Sequence, residues 1–232
     1  MKKQLFVMIC TLFSAAIFAV ENVSLQNAPI DLDNKNSLQR GAKNFINYCL
    51  NCHSLDYMRY NQLELIGLSD ETIKRDLLFT TDKVGNPMSI SMQADEAKNW
   101  FGAAPPNLSV TARSRGSDWI YSYLRGFYRD KSRTLGWNNT VYKNSAMPHI
   151  LWELQGEQIF DVEANKLVLN KPGVLSPDEY DQFIGDITNF MVFVSEPNQQ
   201  KRKQIGYYVL AFLFLLLVLV INLKREYWKN IK

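Results

Sequence analysis

Cys49-Leu50-Asn51-Cys52-His53 is the stretch on which the reading of this chain turns. Two thiols three residues apart, followed at once by an imidazole, form the pattern of a c-type haem attachment. At the end of a helix each thiol can form a thioether to one haem vinyl, and the adjacent imidazole reaches the iron from one face. Three other uses of the pair fit less well. A thioredoxin-like dithiol belongs in a βαβ setting, and none flanks it. A structural zinc ion needs a fourth ligand and usually a second pair; Cys10 lies in the apolar N-terminal segment, so only His149 remains. A plain disulfide explains neither His53 nor the long loops that follow.

The residues around the motif read as mainly α. Ser37 to Tyr48 is expected to form a short helix, with Ser37 as its cap and Leu38, Phe45 and Ile46 on its apolar side. A second helix is expected from Ser117 or Asp118 to about Tyr128, with Trp119, Ile120, Tyr123, Leu124 and Phe127 turned inward. The clearest helix follows Ser176-Pro177-Asp178-Glu179, which joins a cap, a first-turn proline and an acid three residues on. Tyr180, Phe183, Ile184, Ile187, Phe190, Met191 and Val194 then recur at helical spacing as core, and Glu196-Pro197 ends the run. Segments 82–116 and 130–149 are rich in Gly, Pro and Asn and read as loops. A short hairpin is expected from Gln158 to Leu169, turning at Glu163 to Lys166.

Both ends carry membrane signals. Lys2 and Lys3 precede an uncharged, mostly apolar segment from Leu5 to Val20, so residues 1–19 read as a secretory signal peptide. From Gln204 to Leu223 there are 20 residues without a charge, about 30 Å as a helix, which is the thickness of the hydrocarbon layer. Tyr207, Tyr208, Tyr227 and Trp228 flank it as interfacial aromatics, and Lys224, Arg225, Lys229 and Lys232 follow it. The expected organisation is a signal peptide (1–19), an exported, periplasmic haem domain (20–200), a transmembrane helix (204–223) and a cytoplasmic tail (224–232). In a bacterium this places the chain in the inner membrane.

Composition excludes other classes. Hydrophobic residues make up 47% and charged residues 21%, which is neither a disordered nor a polytopic membrane chain. The net charge of +3 comes from the ends: residues 20–200 hold 17 Lys and Arg against 22 Asp and Glu. No dense basic stripe tracks phosphates, so nucleic acid is not expected as a partner. The mild acidity suggests steering of a basic carrier, with Glu153, Glu157, Asp161 and Glu163 as one candidate face.

A haem held through His53 has room for a second axial ligand. His149 and the methionines outside the signal are the candidates. Met58 is too close to the haem-binding turn to cross to the other face, and Met191 falls on the apolar face of a helix. Met88 and Met92 lie in a loop, and Met147 stands in the stiff segment Asn144-Ser145-Ala146-Met147-Pro148-His149. A thioether favours ferrous iron and raises the potential more than a second imidazole would, which points to methionine but leaves Met147 and Met88 both open.

The order of motifs resembles the cytochrome c1 family, the haem subunit of the bacterial ubiquinol–cytochrome c reductase (bc1 complex). Arg40-Gly41 and Phe45 before the haem motif, Pro105-Pro106-Asn107-Leu108-Ser109, Ala112-Arg113-Ser114-Arg115 with Asp118-Trp119, and Ala146-Met147-Pro148-His149 with Leu151-Trp152-Glu153-Leu154-Gln155-Gly156 carry the likeness, together with the C-terminal anchor. The resemblance implies a cytochrome c-like α domain with long loops and one membrane helix. It implies one covalent haem c on Cys49 and Cys52, with His53 and Met147 as the axial ligands and His149 as a neighbour. A carbonyl of Pro105 or Pro106 would orient His53. Arg115 would face a haem propionate, and Trp119 stands where the family often has a propionate tyrosine. Asn107 replaces the acid of the family's Pro-Pro-Asp-Leu-Ser block, with little effect expected.

The expected function is one-electron transfer, from a Rieske iron–sulfur protein to a soluble or anchored cytochrome c. Cytochrome b would be a further partner in a dimeric bc1 complex, and quinol oxidation would take place in the partner subunits. Two rivals share parts of the pattern. One is an anchored monohaem cytochrome c feeding a terminal oxidase or a nitrogen-oxide reductase. The other is a haem enzyme with an open distal site, such as a peroxidase, against which Met147 argues.

Overall fold

The computed structural model describes residues 24–230. The expected signal segment, with Cys10, and Lys232 lie outside the described residues. In chain order the elements are α1 (Lys35–Tyr48), β1 (Leu55–Arg59), a 3-10 stretch (Tyr60–Ile66), α2 (Asp70–Asp76), β2 (Pro87–Met88), α3 (Ala94–Phe101), α4 (Thr111–Arg115), α5 (Ser117–Arg125), β3 (Phe127–Arg129), β4 (Trp137–Asn139), α6 (Trp152–Gln155), β5 (Gly156–Asp161), β6 (Lys166–Pro172), α7 (Pro177–Ser195) and α8 (Gln199–Tyr227). The strands form three antiparallel two-stranded ribbons, β1 with β2, β3 with β4 and β5 with β6. The fold is mainly α with long connections and one apolar C-terminal helix.

Helices α1 and α7 form the spine. Ser37, Leu38, Gly41, Ala42, Phe45 and Ile46 make the buried side of α1, at the spacing of one helical face. Phe45 meets Phe190 of α7 with ring centroids 5.8 Å apart. Gly41 lets the backbones touch: a Cβ there would stand 2.0 Å from the carbonyl oxygen of Asp186. Polar groups then fix the crossing. Asp186, nearly buried, receives Arg40 through two bonds of 2.6 and 2.9 Å and the Ser37 hydroxyl at 2.6 Å. Asn189 binds Ser37 Oγ and both the amide and the carbonyl of Asp31, which straps the N-terminal segment to the same helix. A two-pronged, partly buried carboxylate–guanidinium pair is stronger than a surface ion pair because both partners are held in one geometry.

Several elements differ from the sequence expectation. Asn34, not Ser37, caps α1: its side chain accepts from the Ser37 amide at 3.1 Å, while the Ser37 hydroxyl is committed to Asp186. Helix α5 ends at Arg125 rather than near Tyr128, because Phe127, Tyr128 and Arg129 pair with Asn139, Asn138 and Trp137. Gly126 makes that switch possible, since a Cβ there would lie 2.6 Å from Thr140 Oγ1. The loop 82–116 contains α3 and α4, whose short polar sequences gave no strong period. The hairpin is longer than expected, from Gly156 to Pro172, and Asn165 takes a positive φ of 48° in its turn.

The α7 start matches its sequence signal. Ser176 caps the helix and the Glu179 carboxylate returns to the Ser176 amide at 2.9 Å. Helix α8 is the one helix among the described residues long and apolar enough to cross a membrane, and none of its residues packs inside the chain. It runs beyond the uncharged segment at both ends, from Gln199 to Tyr227.

Gly41→Ala is expected to cost about 2 kcal/mol or more, because an overpacked helix crossing must open. Gly85→Ala, where nothing lies within 4 Å of a Cβ, is expected to stay within about 0.5 kcal/mol. Thermal unfolding of the two variants side by side tests the contrast.

Candidate haem site

The haem motif follows directly from the end of α1. The amides of Cys49 and Leu50 both bond to the Phe45 carbonyl, at 2.8 and 3.0 Å, and those of Cys52 and His53 return to the Cys49 carbonyl at 3.1 and 2.9 Å. This tight turn points two sulfurs and one imidazole to the same side. Cys49 is buried and Cys52 partly exposed; both are free thiols. Burial, with Cys52 adding to it, pushes the Cys49 thiol up to about 12. Cys52 is raised by the same desolvation.

His53 Nδ1 stands 2.8 Å from the carbonyl oxygen of Pro106. A carbonyl can only accept, so the proton sits on Nδ1 and the Nε2 lone pair is free for a metal. Burial pulls the His53 pKa down, and the Pro106 bond offsets this in part, so the ring is kept neutral. The Pro105-Pro106 segment is itself anchored. Leu108 donates to the Ser54 carbonyl at 3.0 Å, Asn107 accepts from the Ser109 amide at 2.8 Å, and the Asn107 amide group donates to Asp56.

A cavity of about 530 Å³ opens beside this turn. Cys49, Cys52, His53, Pro105, Pro106, Arg115, Trp119 and Met147 all line it, although they come from three separate regions of the chain. Arg115 is the one charged side chain among the lining residues, and apolar surface dominates the rest. Its guanidinium lies 5.3 Å over the Trp119 ring, which stacks on Tyr123 at 4.9 Å and 7°. Ile187 and Met191 of α7 add to the wall.

Of the methionines weighed as ligands, Met147 and Met191 line the cavity. Met58 and Met88 are fully buried elsewhere, and Met92 lies on a separate, smaller void of about 280 Å³. His149 is buried outside the cavity, and burial takes its pKa down to about 4, which keeps it neutral. Of the four acidic residues singled out as a docking face, none lines the cavity. Glu157 is engaged with Arg129 at 3.0 Å and Lys171 at 3.4 Å.

The Met147 segment is held by hydrogen bonds that the sequence did not reveal. Ser145 Oγ accepts from the Met147 amide at 3.2 Å and is bonded to the Tyr123 hydroxyl at 2.7 Å. Asn144 takes a positive φ of 62°, and its amide donates to Asn138 Oδ1 at 2.8 Å. Asn139 accepts from the amides of Val141 and Tyr142 and donates to the Tyr123 carbonyl. The run Trp137-Asn138-Asn139-Thr140 held the only local signal, because Asn side chains bind nearby backbone in turns.

The donor set fits an iron porphyrin: two thiols, a neutral imidazole with one nitrogen free, a thioether, one cation and an otherwise apolar wall. Fold and site together define a single-haem cytochrome of the c type carried on one apolar helix. The chain belongs to the cytochrome c1 family: the model described as "Cytochrome C1 family" matches residues 26–231. A protein named "Cytochrome c1" from Allochromatium vinosum is 44% identical over 218 residues, covering 89% of each chain. "Ammonia monooxygenase gamma subunit" from Nitrosomonas europaea is 48% identical over 211 residues, covering 91% of this chain and 90% of its own. "Cytochrome b/c1" from Bradyrhizobium diazoefficiens is 23% identical over 248 residues, covering 87% of this chain and 34% of the relative. Members of the family carry haem c covalently and transfer electrons in the bc1 complex.

Asn139→Leu is expected to destabilise the protein by about 2–4 kcal/mol, since it leaves two loop amides and the Tyr123 carbonyl without a partner. Denaturant titration measures the loss. Proteolysis within 140–150 is expected to quicken with it.

Proposed function

We propose that this chain is the one-electron carrier of a bc1 complex, taking electrons from a Rieske iron–sulfur protein and passing them to a soluble or membrane-anchored cytochrome c. The observation that carries the reading is the convergence of Cys49, Cys52, His53 and Met147 on one apolar cavity, with His53 Nδ1 already committed to Pro106.

When bound, haem c supplies a ferric–ferrous couple that cycles without breaking a substrate bond. The protein's own residues do the rest. Cys49 and Cys52 would hold the group through thioethers. His53 Nε2 would bind the iron, with the Pro106 carbonyl fixing its ring plane and strengthening its basicity. Met147 would supply a thioether, which favours ferrous iron and raises the potential. Arg115, beside Trp119, would offset propionate charge. The apolar wall would keep water away and favour the less charged ferrous state.

The assembly is read from chemistry and relatives. A relative named "Cytochrome b/c1" supports cytochrome b as a neighbour. The apolar helix α8 serves as the anchor, with the haem domain in the periplasm after removal of the signal peptide and the tail in the cytoplasm. In a dimeric complex of this kind, quinol oxidation belongs to the partner subunits.

A second reading follows from the name of the Nitrosomonas relative: an anchored haem subunit serving an oxidase or oxygenase instead. Gentle detergent extraction separates the two. Cytochrome b and a Rieske protein are expected to come with this chain; oxidase or monooxygenase subunits in their place would move the function to the second reading.

Acid-extracted, denatured polypeptide is expected to keep its pigment and show one added porphyrin mass. Cys49→Ala with Cys52→Ala removes both. Met147→Leu is expected to abolish the far-red sulfur-to-iron band of the ferric protein, lower the potential and raise cyanide affinity by about tenfold or more. An unchanged band and potential would point instead to Met191, the other methionine on the cavity wall.

A further inference from the structure

His149 stands two residues beyond Met147 and is 3% exposed. Its ring lies flat on Phe127, with centroids 4.8 Å and planes 3° apart, and meets Trp137 edge-on at 4.9 Å and 82°. Phe127 meets Tyr123 edge-to-face at 5.1 Å. On the far side, the Arg129 guanidinium sits 3.9 Å over the Trp137 ring, and Glu157 holds Arg129 in turn. Tyr123 and Met147 both line the haem cavity. The rings therefore form a chain that leaves the cavity at Tyr123 and reaches His149, two residues from Met147.

One polar detail is unresolved inside this stack. His149 Nε2 and Gln155 Oε1 are both buried without a hydrogen bond of good geometry, although the Gln155 side chain is close enough to act on the ring. The Gln155 amide nitrogen is already committed to the Arg125 carbonyl at 3.0 Å, so its oxygen is the group left for His149. An apolar residue would fill this space without unpaired polar atoms. A neutral imidazole there gives Oε1 a donor, Nε2–H, that has no other partner, and a bond between them would latch the segment. Pro148 links the two residues through a fixed φ, so the place of His149 is passed on to Met147 with little slack.

We propose that His149 is a positioning residue for the sixth-ligand thioether. The stack of Phe127, His149 and Trp137, with His149 Nε2–H and Gln155 Oε1 available to latch it, holds the segment so that Met147 stays directed into the haem cavity. This rests on Met147 as the ligand. It adds a site outside the cavity that sets how firmly that ligand is held.

The test uses the full-length holoprotein in detergent, with free imidazole as the competing ligand for the ferric state. His149→Ala is expected to weaken the far-red band, lower the midpoint potential and raise imidazole affinity about tenfold. His149→Phe keeps the stack and loses the latch, and Gln155→Leu removes the latch from the other side; each is expected to raise imidazole affinity about threefold with most of the band retained. In a Met147→Leu background, His149→Ala is expected to add nothing further to imidazole affinity, because the two residues act on one bond.

Wild-type affinity and potential in both His149→Ala and Gln155→Leu would overturn the proposal. An undiminished effect of His149→Ala in the Met147→Leu background would also overturn it, as that means general loosening. Should His149→Ala fail to accumulate with haem, His149→Phe and Gln155→Leu decide, and unchanged affinity in both is the negative result. Met147→Leu alone with its band intact refutes the ligand assignment, and the proposal falls with it; a lost band there with a silent His149 refutes the positioning role only.

Discussion

The carbonyl oxygen of Asp186 occupies the space where a side chain at position 41 would begin. That single contact sets how close the first and last helices of the haem domain can come. With the helices this near, Phe45 reaches Phe190, and Arg40 and Ser37 close on the Asp186 carboxylate. The end of α1 then has one place to be, and the haem-binding turn begins at that end. The same α7 that receives Gly41 also lends Ile187 and Met191 to the cavity wall, so the scaffold contact and the site share one helix.

Around that fixed turn the segments that carry the two proposed ligands are built differently. The His53 side is local: Ser54, Asn107 and Leu108 tie the proline segment to the turn by short bonds, and Pro106 needs only its carbonyl. The Met147 side is assembled from afar. It depends on Asn138 and Asn139 in a ribbon, on Tyr123 in a helix, and on the ring stack behind His149. A long segment with no regular structure of its own is held by side chains bonding to backbone, which satisfies its buried polar groups without a sheet or helix.

The sequence carried the covalent chemistry and the long helices plainly. Cys49, Cys52 and His53 fall within five consecutive residues, and Ser176-Pro177-Asp178-Glu179 announces α7 through local capping alone. The strand at Phe127 was hidden because its apolar period continues that of α5, and only pairing with residues 137–139 shows that the helix has stopped. The cap at Asn34 was missed because Ser37 looks equally suited until Asp186, far along the chain, claims its hydroxyl. Helices α3 and α4 are too short to show periodicity. The acidic residues of 153–163 read as a free face from their spacing, yet Glu157 is tied to cations brought to it by the ribbons. Apart from the two short helices, what could not be read was non-local.

The pinning of loop 138–147 bears on speed as well as on place. Asn139 spends its side-chain oxygen on two backbone amides, and Ser145 bridges the Tyr123 hydroxyl to the Met147 amide. A redox centre whose walls are fastened this way changes charge without changing shape. Little nuclear rearrangement then accompanies the arrival or departure of an electron, and fixed dipoles need not turn to meet it. In the proposed carrier, the asparagines that end β4 would thus keep low the reorganisation barrier of the transfer.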